Sequence, residues 1–165
     1  MAMWSARVAL RDGHNLAALN FAQLGLERQT QNPDLFFYLG EARQNLAGTG
    51  PSTSLARSFR EAAVEPYRAG MRLYPQDSAL LLRLAEALTR LGDLRGAGQV
   101  FQEVLRWDPN SSLVYTYYGY FLQCDGRPAE AKAAYEHALQ LGYVAAASEN
   151  LSHLSKARPL GNATD

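Results

Sequence analysis

The chain has 165 residues, 16 Lys and Arg against 16 Asp and Glu, and a single cysteine, Cys124. Zero formal net charge argues against a protein held on nucleic acid or anionic lipid by long-range attraction, which needs a surplus of cations, although locally basic patches stay open. A lone cysteine forms no intramolecular disulfide and no Cys/His spacing reads as a zinc site, so packing must hold the fold.

Taken from the N-terminus, residues 1–32 predict a degenerate pair of amphipathic helices, with Ala2, Ser5 and Ala6 on one inner stripe and Ala18, Ala22 and Gly25 on the other. Residues 33–77 repeat the pair as Phe36, Leu39, Gly40 and Arg43, then Ala63, Tyr67, Gly70 and Pro75. Residues 78–111 give Leu81, Leu84, Ala85 and Leu88, then Ala97, Phe101, Val104 and Pro109. Residues 112–145 give Tyr115, Tyr118, Gly119 and Leu122, then Ala131, Tyr135, Ala138 and Tyr143. The step is 34 residues, except that Phe36 to Leu81 and Ala18 to Ala63 are both 45, so one insertion of 11 lies inside the second unit.

Eleven residues make close to three helical turns, so an insertion into a helix leaves its apolar face in phase. Leu55, Phe59, Ala62 and Ala63 are read as continuing the stripe backwards from Tyr67, with a helix start at Pro51-Ser52-Thr53 or at Ser58, where Ser58-x-x-Glu61 fits a capping box. Pro66 then falls inside the helix and predicts a kink near Val64 to Pro66. Gly92-Asp93 and Asp125-Gly126-Arg127-Pro128 mark turns within units, while Pro75 and Pro109 end second helices. Residues 146–156 predict a capping helix with Ala147, Leu151 and Leu154 on one face, and the polar stretch 157–165 is expected to fray.

These spacings resemble the tetratricopeptide repeat family, whose pattern is W-x2-L-G-x2-Y…A-x3-F…P with a period of 34. The resemblance is carried best by Leu81, Leu84, Ala85, Leu88, Ala97, Phe101 and Pro109, and next by Tyr115, Tyr118, Gly119, Leu122, Ala131 and Tyr135. It implies an all-α fold: a right-handed α-solenoid of antiparallel helix pairs, about four repeats plus a C-terminal capping helix. It also implies a non-enzymatic interaction scaffold whose concave face holds a partner peptide or helix.

Carried over unit by unit, that face offers Trp4, Arg7 and Arg11, then Phe37, Tyr38, Glu41 and Gln44. It continues with Leu82, Arg83, Glu86 and Arg90, then Thr116, Tyr117, Tyr120 and Gln123. Aromatic rings and arginines are the residue types enriched in binding hot spots. The peptide-binding set is therefore read as Phe37, Tyr38, Glu41, Leu82, Arg83, Glu86, Arg90, Tyr117 and Tyr120. The Lys, Asn and Arg clamp of chaperone-binding relatives is not reproduced, since Met3, Arg7, Tyr38, Ala79 and Arg83 stand in its register.

Other chemistry finds little support. Gly48-Thr49-Gly50-Pro51-Ser52-Thr53-Ser54 lacks the lysine of a phosphate-binding loop and follows a helix. His14, His137 and His153 lie in different segments, and Cys124 has no histidine at a spacing that would place a base beside it. The carboxylates show no pair evidently sharing a pocket, so no acid/base catalysis, metal or cofactor is expected. The sequons at Asn110, Asn150 and Asn162 are read as chance.

Met1 to Asn15 has no apolar core and no window approaches 18 uncharged apolar residues, so a soluble chain without membrane insertion is expected, in the cytoplasm by preference. Fourteen Arg against two Lys point to a GC-rich, bacterial genome. A first unit that begins mid-register motivates an alternative, a domain of a larger protein that assembles or regulates an attached enzyme or membrane complex. A third expectation is self-association through Trp4 or the Phe/Tyr face.

Overall fold

The structure, a computed structural model, describes residues 2–28, 32–48, 54–142 and 144–156. The tail at 157–165, the start at Pro51-Ser52-Thr53, and Tyr143 lie outside these residues. Among them the chain is all helix, in the order α1 (Ala2–Arg11), α2 (Asn15–Arg28), α3 (Pro33–Ala47), α4 (Ser54–Leu73), α5 (Ser78–Leu91), α6 (Leu94–Trp107), α7 (Ser112–Cys124), α8 (Pro128–Leu141) and α9 (Ala145–Lys156). The fold is an α-solenoid of antiparallel helix pairs. It divides into two compact units, Met1–Trp107 and Asp108–Asp165.

Helix ends fall where the local chemistry puts them. Asn32 accepts the Asp34 N–H at 2.9 Å and Pro33 opens α3; Asp77 accepts the Leu80 N–H at 3.0 Å ahead of α5. Ser111 caps α7 by accepting from Val114, and Pro128 opens α8. Gly92 closes α5 at φ 89°, in the left-handed region where a side chain would be strained.

In the first unit each helix packs on the next, and α3 also touches α1 and α5. The inner stripes are short and made of small residues. Ala6, Ala22 and Leu39 form one buried cluster, and Ala9, Ala18 and Ala42 another. On two of the first helices a glycine lets the signature ring of the partner helix lie against bare backbone. Tyr67, wholly buried, sits on Gly40; in the second unit Tyr135, equally buried, sits on Gly119. The second unit packs α7 on α8, with α9 against both. Ala147 is the buried residue of α9, with Leu151 and Leu154 half-buried on the same face.

α4, where the insertion is expected, is 20 residues long, against 14 for α2, α6 and α8. Two expectations about it are corrected. Ser58 does not open the helix: it lies inside α4 and its hydroxyl donates to the Leu55 carbonyl at 2.9 Å. Leu55 is not on the core stripe but is 65% exposed, whereas Ala56 is buried. The reason is phase: Ala56 precedes Tyr67 by 11 residues and returns to the same face at ~100° per residue, while Leu55, 12 before, is turned away by about 120°.

α4 runs as continuous helix through the buried Pro66. Pro66 has no N–H, so the carbonyl four residues back, on Ala62, loses its helical donor. Arg43 of α3 supplies the replacement: its Nη1 donates to Ala62 O at 2.7 Å. Burial holds the Arg43 guanidinium below its ordinary pKa range, which marks the desolvation this contact requires. Arg43→Met keeps the side-chain stem and removes the donor. It is expected to cost about 1–3 kcal/mol in the Pro66 protein and well under 1 kcal/mol in a Pro66→Ala background, where the backbone N–H returns. Urea denaturation of the four proteins of this cycle checks the coupling; independent, additive losses would dissociate Arg43 from the proline.

Candidate functional site

The expected groove residues of the first unit fall on α3 and α5, two first helices in contact. Their spacing along α5 already joins three of them. Arg83 Nη1 lies 2.8 Å from Glu86 Oε2 (i, i+3), and Arg90 Nη2 lies 3.0 Å from Glu86 Oε1 (i, i+4). Tertiary packing adds α3: Arg83 Nε stands 3.3 Å from Glu41 Oε1, and the Arg83 guanidinium lies over the Phe37 ring at 5.5 Å. From α4, the Tyr67 hydroxyl donates to Glu41 Oε1 at 2.9 Å, and Gln44 Nε2 lies 3.4 Å from that hydroxyl.

The cluster therefore holds two carboxylates and two guanidinium groups in one chain of contacts, with its charges matched. Burial pushes the Glu41 carboxyl above the usual glutamate range, opposed by Arg83 and by the Tyr67 hydrogen bond. Burial likewise raises the Tyr67 phenol well above its ordinary value, reinforced by Glu41, so it stays a hydrogen-bond donor at neutral pH. Around these groups opens a cleft of about 300 Å³ lined by Glu41, Gln44, Asn45, Gly48, Arg83, Glu86 and Arg90.

The remaining groove residues are placed less uniformly. Phe37 and Tyr38 are half-buried and meet edge to face, with ring centroids 5.7 Å apart. Leu82 and Glu86 are only 5% and 4% exposed, because α5 packs against α3, α4 and α6 and is buried on nearly every side. Tyr117 and Tyr120 belong to α7 of the second unit, both half-buried. Trp4 is 64% exposed with Arg7 over its ring, and Arg11 pairs with Asp12 at 2.9 Å.

Sequence reasoning missed that Glu41 and Glu86 converge. Each carboxylate touches an arginine, so the pair forms a matched ionic cluster. Among the described residues no group of three His, Cys, Asp or Glu is placed to hold a metal, and no helix is long and apolar enough to cross a membrane.

Residues 59–117 match the family model for the tetratricopeptide repeat, and the chain has the fold of that class. Among solved structures, the chain is similar to a thermophilic TPR protein of Thermus thermophilus, at 19% identity and a TM-score of 0.83, over 93% of this chain and 79% of that one. It is also similar to MamA (residues 41 to the end) from Desulfovibrio magneticus RS-1, at 18% identity and a TM-score of 0.71, over 91% of this chain and 79% of that one. Among curated proteins no sequence matches the chain. Repeats of this family generally serve as non-enzymatic scaffolds for protein contacts.

Proposed function

We propose that the protein is a non-enzymatic scaffold that holds a peptide or helix of a partner protein against the first helices α3 and α5. The observation that carries this reading is the polar cleft beside Glu41, Arg83 and Glu86, whose charges are matched internally. A ligand there does not have to neutralise a buried ion. It meets Gln44, Asn45 and the outward part of Arg90 as hydrogen-bonding groups, with Phe37 and Tyr38 as ring surfaces of low conformational cost. Leu82, being buried, supports this face from beneath. Tyr117 and Tyr120 are proposed as contact residues of the second unit in their own right. The same reading takes residues 1–32, 33–77, 78–111 and 112–145 as successive repeats and 146–156 as their cap.

The test is capture of partners from the source organism on the immobilised chain, compared with an Arg90→Ala/Gln44→Ala variant and, separately, Tyr117→Ala. Arg90 is 44% exposed and Arg83 remains to pair Glu86, so the first variant keeps the fold. A drop of about tenfold or more in captured partner is expected from losing two contacts. Capture unchanged in both variants would move the binding face elsewhere.

A further inference from the structure

A second surface, independent of the cleft, lies on α1 and α2. Between these helices runs a furrow of about 410 Å³ whose lining includes Trp4, Val8, Ala9, His14, Ala17 and Phe21. Trp4 and Phe21 are 64% and 38% exposed there, large apolar side chains with water on one side.

The chain contains its own template for what covers such a face. Shifted by the 34-residue repeat, Trp4, Ser5 and Val8 become Tyr38, Leu39 and Ala42 of α3. In α3 those three residues are packed against the preceding helix pair: Leu39 is buried with Ala6 and Ala22, Tyr38 lies against the same cluster, and Ala42 is buried with Ala9 and Ala18. The covering helix α2 presents a stripe of Ala18, Ala22 and Gly25, with Leu19 and Leu26 beside it. The furrow continues that interface backwards by one repeat.

We propose that the α1–α2 furrow is a docking site for an amphipathic helix of a separate polypeptide, one that carries an alanine/glycine stripe flanked by leucines. A second copy of this chain is a poor occupant. The small-residue stripes of its second helices, Ala18/Ala22/Gly25, Ala63/Gly70 and Ala131/Ala134/Ala138, are already buried within their own repeats. The internal template sets the chemistry of the incoming helix: the residues of α2 that meet Leu39 and Ala42 are Ala22 and Ala18, with Leu19 beside them, so ridge-into-groove packing on the furrow calls for small residues flanked by leucine.

The experiment uses the full chain with Trp107→Phe, which leaves Trp4 as the sole tryptophan of the two, and titrates it with a lactam-stapled peptide of the α2 sequence, Asn15–Arg28. The staple removes the nucleation cost that leaves a free 14-residue helix marginal in water. A saturable blue shift of Trp4 emission is expected, weakened about tenfold or more by Val8→Arg on the chain and abolished by Ala18→Glu/Ala22→Glu in the peptide. Circular dichroism confirms that the Val8→Arg chain keeps its helices.

No saturable change up to about 1 mM peptide overturns the proposal, as does equal binding of the doubly substituted peptide, which would mark mere apolar stickiness. A concentration-dependent mass of the unliganded chain that Val8→Arg returns to 18.2 kDa also overturns it, by assigning the furrow to a second copy.

Discussion

Gly40→Ala is expected to destabilise the first unit by about 2 kcal/mol net. A methyl at this position falls on the Tyr67 ring, overlapping its Cζ and both Cε atoms. The ring has nowhere to go: it is wholly buried, and its hydroxyl is held by Glu41 at 2.9 Å. Overpacking of this kind costs about 3 kcal/mol at the upper end of its usual range, and the better helix propensity of alanine returns only about 1 kcal/mol. Gly119→Ala makes the comparison within the same molecule. There the added methyl would stand 2.6 Å from the Tyr135 ring, a smaller overlap than at Gly40, so a smaller loss is expected. Urea midpoints of both variants decide the matter; a Gly40→Ala protein as stable as its parent would show that the backbone shifts freely at this crossing.

Arg83→Ala carries the second large effect, a loss of about 3 kcal/mol at neutral pH, because it strips one partner from a buried charge. Glu86 retains Arg90, whereas Glu41 is left with only the Tyr67 hydroxyl among the contacts named above. The pH dependence follows from the sign of the Glu41 shift. Burial already raises its carboxyl in the folded chain, so between the ordinary glutamate range and that raised value the folded state binds more protons than the unfolded one, and stability falls as pH rises through the window. Removing Arg83 raises the carboxyl further. The deficit of Arg83→Ala against the parent should therefore be largest at neutral pH and shrink on acidification, as Glu41 becomes neutral and no longer needs a cation. Adding Glu41→Gln should recover part of the loss at pH 7 and little at pH 4. A deficit independent of pH would mean that the guanidinium acts through packing on Phe37 rather than through charge.

The repeat was the most legible part of the chain, because its cause is local: a 3.6-residue period sets the stripes, and glycine, proline and capping residues set their ends. Asp77, Gly92, Ser111 and Pro128 all stand where such rules place them. α4 is longer than α2, α6 and α8, and the phase of its first turns was misassigned to Leu55. An error of one residue in choosing the start moves the stripe by the same amount, which is enough to turn a leucine into solvent.

The candidate site was legible only in part. Arg83, Glu86 and Arg90 have helical spacings that any reader of the sequence can pair. Glu41 meets them only because α3 and α5 are brought together, and the Tyr67 hydroxyl only because Gly40 lets its ring through. Arg43 looked like one more signature position; its bond to Ala62 depends on a proline 23 residues away on another helix. Leu82 was placed on the open face by carrying the family's concave face over unit by unit, which takes no account of how many neighbours a helix acquires.

One asymmetry between the helices also bears on how such a chain changes over time. α5 buries nine of its fourteen residues, whereas α6 buries three: Ala97, Phe101 and Val104. On α6, the six exposed positions, Arg95, Gln99, Gln102, Glu103, Arg106 and Trp107, can be rewritten with little effect on what is packed beneath. A fold specified by so few places per helix stores little of its design in any one stretch of text. That sparseness is a physical reason why a shared architecture, at a TM-score of 0.83, coexists with only 19% identical residues.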